Sequence, residues 1–140
     1  MKRSASAVWK GGLQDGKGTV STESGTLSGA PYNFKMRFEN EKGTNPEELV
    51  AAAHAACFSM ALSKILADAG MTPESIDTKA TVSLDKGDAG FSVTSSHLET
   101  TVKVPNADKA AFDEAVQKAK AGCPISKLLN ATITLDAKLT

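Results

Sequence analysis

The sequence predicts an α+β fold, organised as one domain over residues 1–140. Three observations carry this. Short runs with period-two alternation, the mark of half-buried strands, occupy both ends of the chain. A long apolar helix and a shorter amphipathic one are interleaved with them. The order strands, helix, strands, helix, strand lacks the regular β–α alternation of a doubly wound parallel sheet. With 140 residues, 41% of them hydrophobic, the chain can bury a substantial core.

Residues 1–43 read as short β-like runs broken by Gly11, Gly12, Gly16, Gly18, Gly25 and Gly29. Gly16-Lys17-Gly18-Thr19 lacks the spacing of a phosphate-binding loop and reads as a turn. In 34–38, Phe34, Met36 and Phe38 alternate with Lys35 and Arg37, which predicts a strand with Arg37 as a solvated charge on its outer face. Asn45-Pro46-Glu47-Glu48 then reads as an N-cap, a proline at the first helical position and two acids that suit the helix dipole. The helix body runs from Leu49 to Ala67, and Gly70 and Pro73 end it. Its segment 50–62 is nearly apolar all round, so it should be buried on every side, with a second subunit as a natural source of cover.

Ala80, Val82 and Leu84 form the next alternating run, followed by a hairpin turn at Lys86-Gly87-Asp88-Ala89-Gly90. Phe91, Val93 and Ser95 share one parity and Leu98, Thr100, Val102 and Val104 the other, which predicts a bulge near Ser96-His97. A second helix covers about 107–121, with Phe112 and Val116 on one stripe, and Ile133, Leu135, Ala137 and Leu139 mark a last strand.

Composition excludes several function classes. Sixteen basic against 16 acidic residues leave no positive excess to displace phosphate counterions, so no nucleic-acid partner is expected. No uninterrupted apolar run reaches about 18 residues, so no membrane span is expected either. Met1-Lys2-Arg3-Ser4-Ala5 leads into no apolar stretch, which points to a cytoplasmic protein rather than a secreted one.

The two cysteines admit two readings, inert buried thiols or one redox pair. Cys57, Cys123, His54 and His97 are too scattered to make a closed metal site. On local grounds Cys123 is the better activated thiol. Gly122 closes one helix and Pro124 opens a short one over 124–129, so Cys123 sits at an N-cap where a thiolate is favoured. Cys57 lies mid-helix among apolar residues, where burial raises a thiol pKa unless a cation is brought to it. His54, one turn before Cys57, reads as a hydrogen-bonded core histidine rather than a general base.

The motifs go further. Thr44-Asn45-Pro46-Glu47-Glu48-Leu49, followed by Ala51-Ala52-Ala53-His54-Ala55-Ala56-Cys57-Phe58-Ser59-Met60-Ala61-Leu62, closely resembles the OsmC family of osmotically inducible and organic hydroperoxide resistance proteins. Ala119-Lys120-Ala121-Gly122-Cys123-Pro124-Ile125-Ser126 is similar to that family's second cysteine motif. Residues 18–25 and 83–86 match the OsmC branch.

The resemblance implies antiparallel sheets around a long buried central helix, in an intertwined homodimer with active sites at the subunit interface. It implies a thiol peroxidase acting on organic hydroperoxides and recycled by an external, lipoyl-type dithiol, a reaction that requires no cofactor. Cys57 would be the peroxidatic thiol and Cys123 the resolving one. Arg37 would activate Cys57, and Glu47 would orient Arg37. That order reverses the local ranking of the two thiols. The alternative function is a non-catalytic, stress-related small-molecule-binding protein on the same dimeric scaffold. A disulfide exchanger has less to recommend it, because the cysteines are not in a C-x-x-C arrangement.

Overall fold

The computed structural model describes residues Met1–Thr140, which form two compact units, Met1–Leu49 and Val50–Thr140. In the first unit, β1 (Ala5–Lys10), β2 (Lys17–Thr22) and β3 (Ala30–Asn33) make an antiparallel sheet in the order β1-β2-β3. Register places Gly18 opposite both Trp9 and Tyr32. A Cβ there would come within 2.5 Å of the Tyr32 ring and 2.7 Å of the Trp9 ring, so only glycine fits. The two rings meet over it at 5.3 Å. Residues 17–19 are therefore strand, not the expected turn.

The segment 34–38 departs from expectation as well. It is a one-turn helix, α1 (Phe34–Phe38), and not a strand. The Asn33 side chain accepts a hydrogen bond from the Met36 N–H at 2.8 Å and starts the turn. Phe34 and Phe38 then lie one turn apart with ring centroids 4.8 Å from each other. Over five residues the same apolar spacing satisfies i, i+2 and i, i+4, and the cap decides between them.

Helix α2 (Pro46–Asp68) starts as its sequence directs: Asn45 Oδ1 accepts from the Glu48 N–H at 2.8 Å. It ends in a Schellman turn. Gly70 adopts φ +75°, its N–H reaches Ala67 O, and the Met71 N–H reaches Leu66 O. An 18-residue window of this helix has mean hydropathy 1.6, so by length and composition it could cross a membrane, contrary to the expectation from uninterrupted runs. His54, Ser59, Ser63 and Lys64 interrupt the run without lowering the average enough. In the second unit, His54, Phe58, Leu62 and Leu66 form a buried stripe, and its three apolar members share one core with Leu98, Val102 and Phe112. The stretch is the core helix of that unit. Its other side, Ala52, Ala53, Ala56 and Met60, stays exposed (Met60 by 76%), so one chain alone does not bury the helix all round.

The second sheet has the order β4-β5-β6, from β4 (Ser75–Gly87), β5 (Gly90–Lys103) and β6 (Thr132–Leu139). β4 and β5 form the expected hairpin, closed by Asp88 and Ala89 between paired Gly87 and Gly90. β6 returns parallel to β5, making this sheet mixed, after a crossover through α3 (Lys109–Gly122) and α4 (Pro124–Leu128). The bulge falls at Thr94: Ser83 faces Ser95 while Leu84 faces Val93. Sequence placed it two residues late because the slip shows only where burial resumes, at Ser96. From there Ser96, Leu98, Thr100 and Val102 face inward against α2 and the Phe112, Ala115, Val116 and Ala119 stripe of α3.

Candidate active site

The chain brings the sequence-derived site residues together as two pairs, one in each unit. In the second unit, Cys57 on α2 and Cys123 at the junction of α3 and α4 are both free thiols, joined by a 2.8 Å hydrogen bond between their sulfurs. The junction is built locally. The Cys123 N–H continues α3 by bonding Ala119 O, and its extended ψ of 126° breaks the helix. Pro124, which has no N–H to satisfy, opens α4, and the Cys123 carbonyl accepts its first bond from Lys127. The break turns the Cys123 side chain into the core, where it is 0% exposed, whereas Cys57 is only half-buried.

Burial pushes the Cys57 thiol above its ordinary pKa, and the adjoining Cys123 thiol pushes it further. The backbone N–H of Ile125, in the first turn of α4, donates to Cys57 and works the other way. The N-terminus of α4 therefore serves the Cys57 sulfur, which receives one of its free N–H groups; Cys123 occupies the cap position, but its side chain makes no cap hydrogen bond.

In the first unit, Arg37 grips Glu47 through two parallel hydrogen bonds, Nη2 to Oε1 at 2.8 Å and Nε to Oε2 at 3.2 Å. This is the fork-on-carboxylate arrangement that fixes a guanidinium in orientation as well as position. Glu47 is 14% exposed and Arg37 36%, and the guanidinium also lies 5.2 Å from the Phe38 ring centre. Arg37 is thus a paired and oriented charge, not the solvated strand charge its alternation indicated. It borders a cleft of about 290 Å³ walled by Trp9, Leu13, Tyr32, Phe34 and Phe38.

His54 is the buried core histidine that was expected. Its Nδ1 meets Ser96 Oγ at 2.7 Å and its Nε2 meets Ser126 Oγ at 2.8 Å. Burial holds its pKa below the ordinary histidine value. Sequence reasoning missed Ser96, Ser126 and the Ile125 N–H. Ser126 follows Cys123 at i+3 on a short helix and could have been flagged as its neighbour; nothing in the sequence ties Ser96 to a histidine 42 residues away.

Comparison with known proteins gives one consistent result. The family model described as "OsmC-like protein" matches residues 39–138. The chain is 63% identical over 133 residues to the peroxiredoxin OsmC of Escherichia coli, covering 95% of this chain and 93% of that one. It is 35% identical over 99 residues to an organic hydroperoxide resistance protein of Xanthomonas axonopodis, covering 70% and 66% of the two chains. Among solved structures, the organic hydroperoxide resistance protein OhrB of Bacillus subtilis superposes with a TM-score of 0.68 at 26% identity, covering 98% of both chains. An OsmC-like protein of Mycoplasma pneumoniae superposes at 0.77 and 17% identity, covering 100% of this chain and 98% of that one, which speaks for the fold alone. With its fold and most of its length matched, this chain belongs to the OsmC family.

Proposed function

We propose that this chain, a thiol-dependent peroxidase, reduces organic hydroperoxides through Cys57 and Cys123. The observation that carries the reading is the asymmetry of the pair: two free thiols in contact at 2.8 Å, one half-exposed and one sealed. A peroxide from solvent meets Cys57 first. Its thiolate attacks the terminal oxygen of ROOH, the O–O bond breaks, and with one proton the products are a Cys57 sulfenic acid and the alcohol ROH. The Cys123 sulfur then attacks the Cys57 sulfur. A disulfide forms, and the sulfenic oxygen leaves with the thiol proton as water. An external dithiol, of lipoyl type by family resemblance, attacks the disulfide, is itself oxidised, and returns both thiols.

The raised pKa of Cys57 means that the first step needs a cation. Arg37, oriented by Glu47, is the one we assign to it. Glu47 and Cys57 lie ten residues apart on one helix, about 15 Å along its axis. We therefore place the Arg37–Glu47 pair of one subunit at the Cys57 of the other, in a homodimer whose partner covers the exposed alanine and Met60 side of α2. The aromatic walls beside Arg37 favour an alkyl or fatty-acid hydroperoxide over hydrogen peroxide. The whole chain acts as one such domain, and a redox pair that must be kept reduced suits the cytoplasm.

The test is a thiol count on the reduced protein before and after one equivalent of an alkyl hydroperoxide. Loss of both thiols, with turnover once a dithiol is supplied, supports the peroxidase. Two unchanged thiols would overturn it in favour of a binding protein.

A further inference from the structure

His54 is fully buried, titratable and absent from the chemistry above, yet both its ring nitrogens are engaged. One anchors it to β5 through Ser96. The other reaches Ser126 on α4. This second bond matters because α4 is only five residues long, buries no residue of its own and leaves Leu128 75% exposed. A helix of one and a half turns has no stability of its own in water, so its position depends on what ties it down. Two of its ties are to α2. Ser126 meets His54, and one turn further along α2 the Ile125 N–H and Cys123 meet Cys57. Fixed at Nδ1 by Ser96, the imidazole is a rigid peg between the sheet and α4.

We propose that His54, through Ser126, is a positioning residue for the resolution step: it holds α4 so that Cys123 stays in reach of the oxidised Cys57. The proposal rests on the peroxidase reading but concerns only how the two sulfurs meet. Its consequence is selective. Without the His54–Ser126 bond, Cys57 keeps its place on α2 and still reacts with peroxide, losing at most the help of the Ile125 N–H, which a margin of about threefold in that rate allows for. The Cys123 sulfur spends less of its time in contact, and disulfide formation slows.

The experiment uses the reduced full chain with Ser126→Ala, Ser126→Thr and His54→Asn. Alanine favours helix over serine, so Ser126→Ala does not unwind α4 through propensity. Asparagine at 54 is long enough for Ser96 but not for Ser126. Rapid-quench mixing with one equivalent of cumene hydroperoxide follows peroxide loss, and dimedone labelling with thiol counting follows the sulfenic acid and the disulfide. We expect Ser126→Ala and His54→Asn to consume peroxide within about threefold of the parent rate. Their disulfide formation should slow about tenfold, the effect of one ordinary hydrogen bond. Labelled Cys57 sulfenic acid should accumulate, and Ser126→Thr should restore the parent rate. Disulfide formation at the parent rate in both Ser126→Ala and His54→Asn overturns the proposal. The same series with diamide as oxidant closes the pair without any peroxide step. If the parent protein is inert to hydroperoxide but the diamide rates keep this order, the peroxidase reading falls while the positioning role stands. If the diamide rates are equal, the role falls whatever the peroxide does.

Discussion

Cys123 Sγ lies 2.8 Å from Cys57 Sγ across 66 residues of chain, and only Cys57 is open to solvent. The contact joins a helix junction near the C-terminus to the middle of the core helix. In the proposed reaction the two thiols have different tasks.

Serine replacements should separate those tasks. Cys57→Ser should abolish peroxide consumption, because no thiol in contact with solvent remains at the site. Cys123→Ser should permit one turnover per chain and leave a sulfenic acid at Cys57 that dimedone labels. Mass spectrometry of the labelled protein reads both outcomes.

The Arg37–Glu47 fork makes a second prediction. Arg37→Ala should slow the first step about a hundredfold, the usual loss when one fixed charged donor is removed from a reacting centre. Glu47→Gln keeps one acceptor oxygen and loses the carboxylate charge, so a loss of about tenfold is expected. Both effects belong to peroxide consumption under single-turnover conditions. Disulfide formation from sulfenic acid already made should be unaffected.

Acid stability should report on His54. Its folded-state pKa lies below the ordinary value, so as pH falls through about 6.5 the unfolded chain takes up the proton first. Stability from this group is therefore complete above that pH. It declines below it by up to about 1.4 kcal/mol per pH unit until the folded state also protonates. Urea unfolding at about pH 7.5 and about pH 5.5 should show this loss in the parent protein and a shallower one in His54→Asn.

The exposed side of α2 predicts the assembly. Light scattering at micromolar concentration should give twice the mass of one chain. Met60→Glu, which puts a charge on that side, should shift the species towards the single-chain mass. A single-chain mass for the parent protein would remove the interface from the proposed site.

Much of the fold was legible because its signals are local. Asn45, Pro46, Gly70, Pro124 and the Gly87–Gly90 turn each act within four residues of their own position, and each element they bound is where they put it. α1 was misread because five residues carry too little periodicity to separate helix from strand, and the deciding cap, Asn33, precedes the pattern. The site divided along the same line. The family resemblance singled out both cysteines, Arg37 and Glu47, and the structure pairs Cys57 with Cys123 and Arg37 with Glu47. Local physics alone ranks Cys123 as the more reactive thiol, because an N-cap position and an apolar surround are visible in sequence, while a distant N–H or cation brought to Cys57 is not. The Ile125 N–H shows that this helix terminus acts on the Cys57 sulfur instead of on its own cap residue. The partners of His54 are separated from it by 42 and 72 residues, beyond any local pattern.

The closeness of the two sulfurs also bears on how the protein fails. A sulfenic acid that waits can be struck by a second peroxide and driven to sulfinic acid, which ordinary thiols cannot reverse. Here the competing thiol is already at contact distance and no segment has to unfold to deliver it. Hyperoxidation must outrun an intramolecular reaction with almost no search, so it should become significant only at extreme oxidant concentrations. If the proposed reaction holds, a pair of this design tolerates a surge of peroxide, and its capacity is then limited by the supply of reducing equivalents.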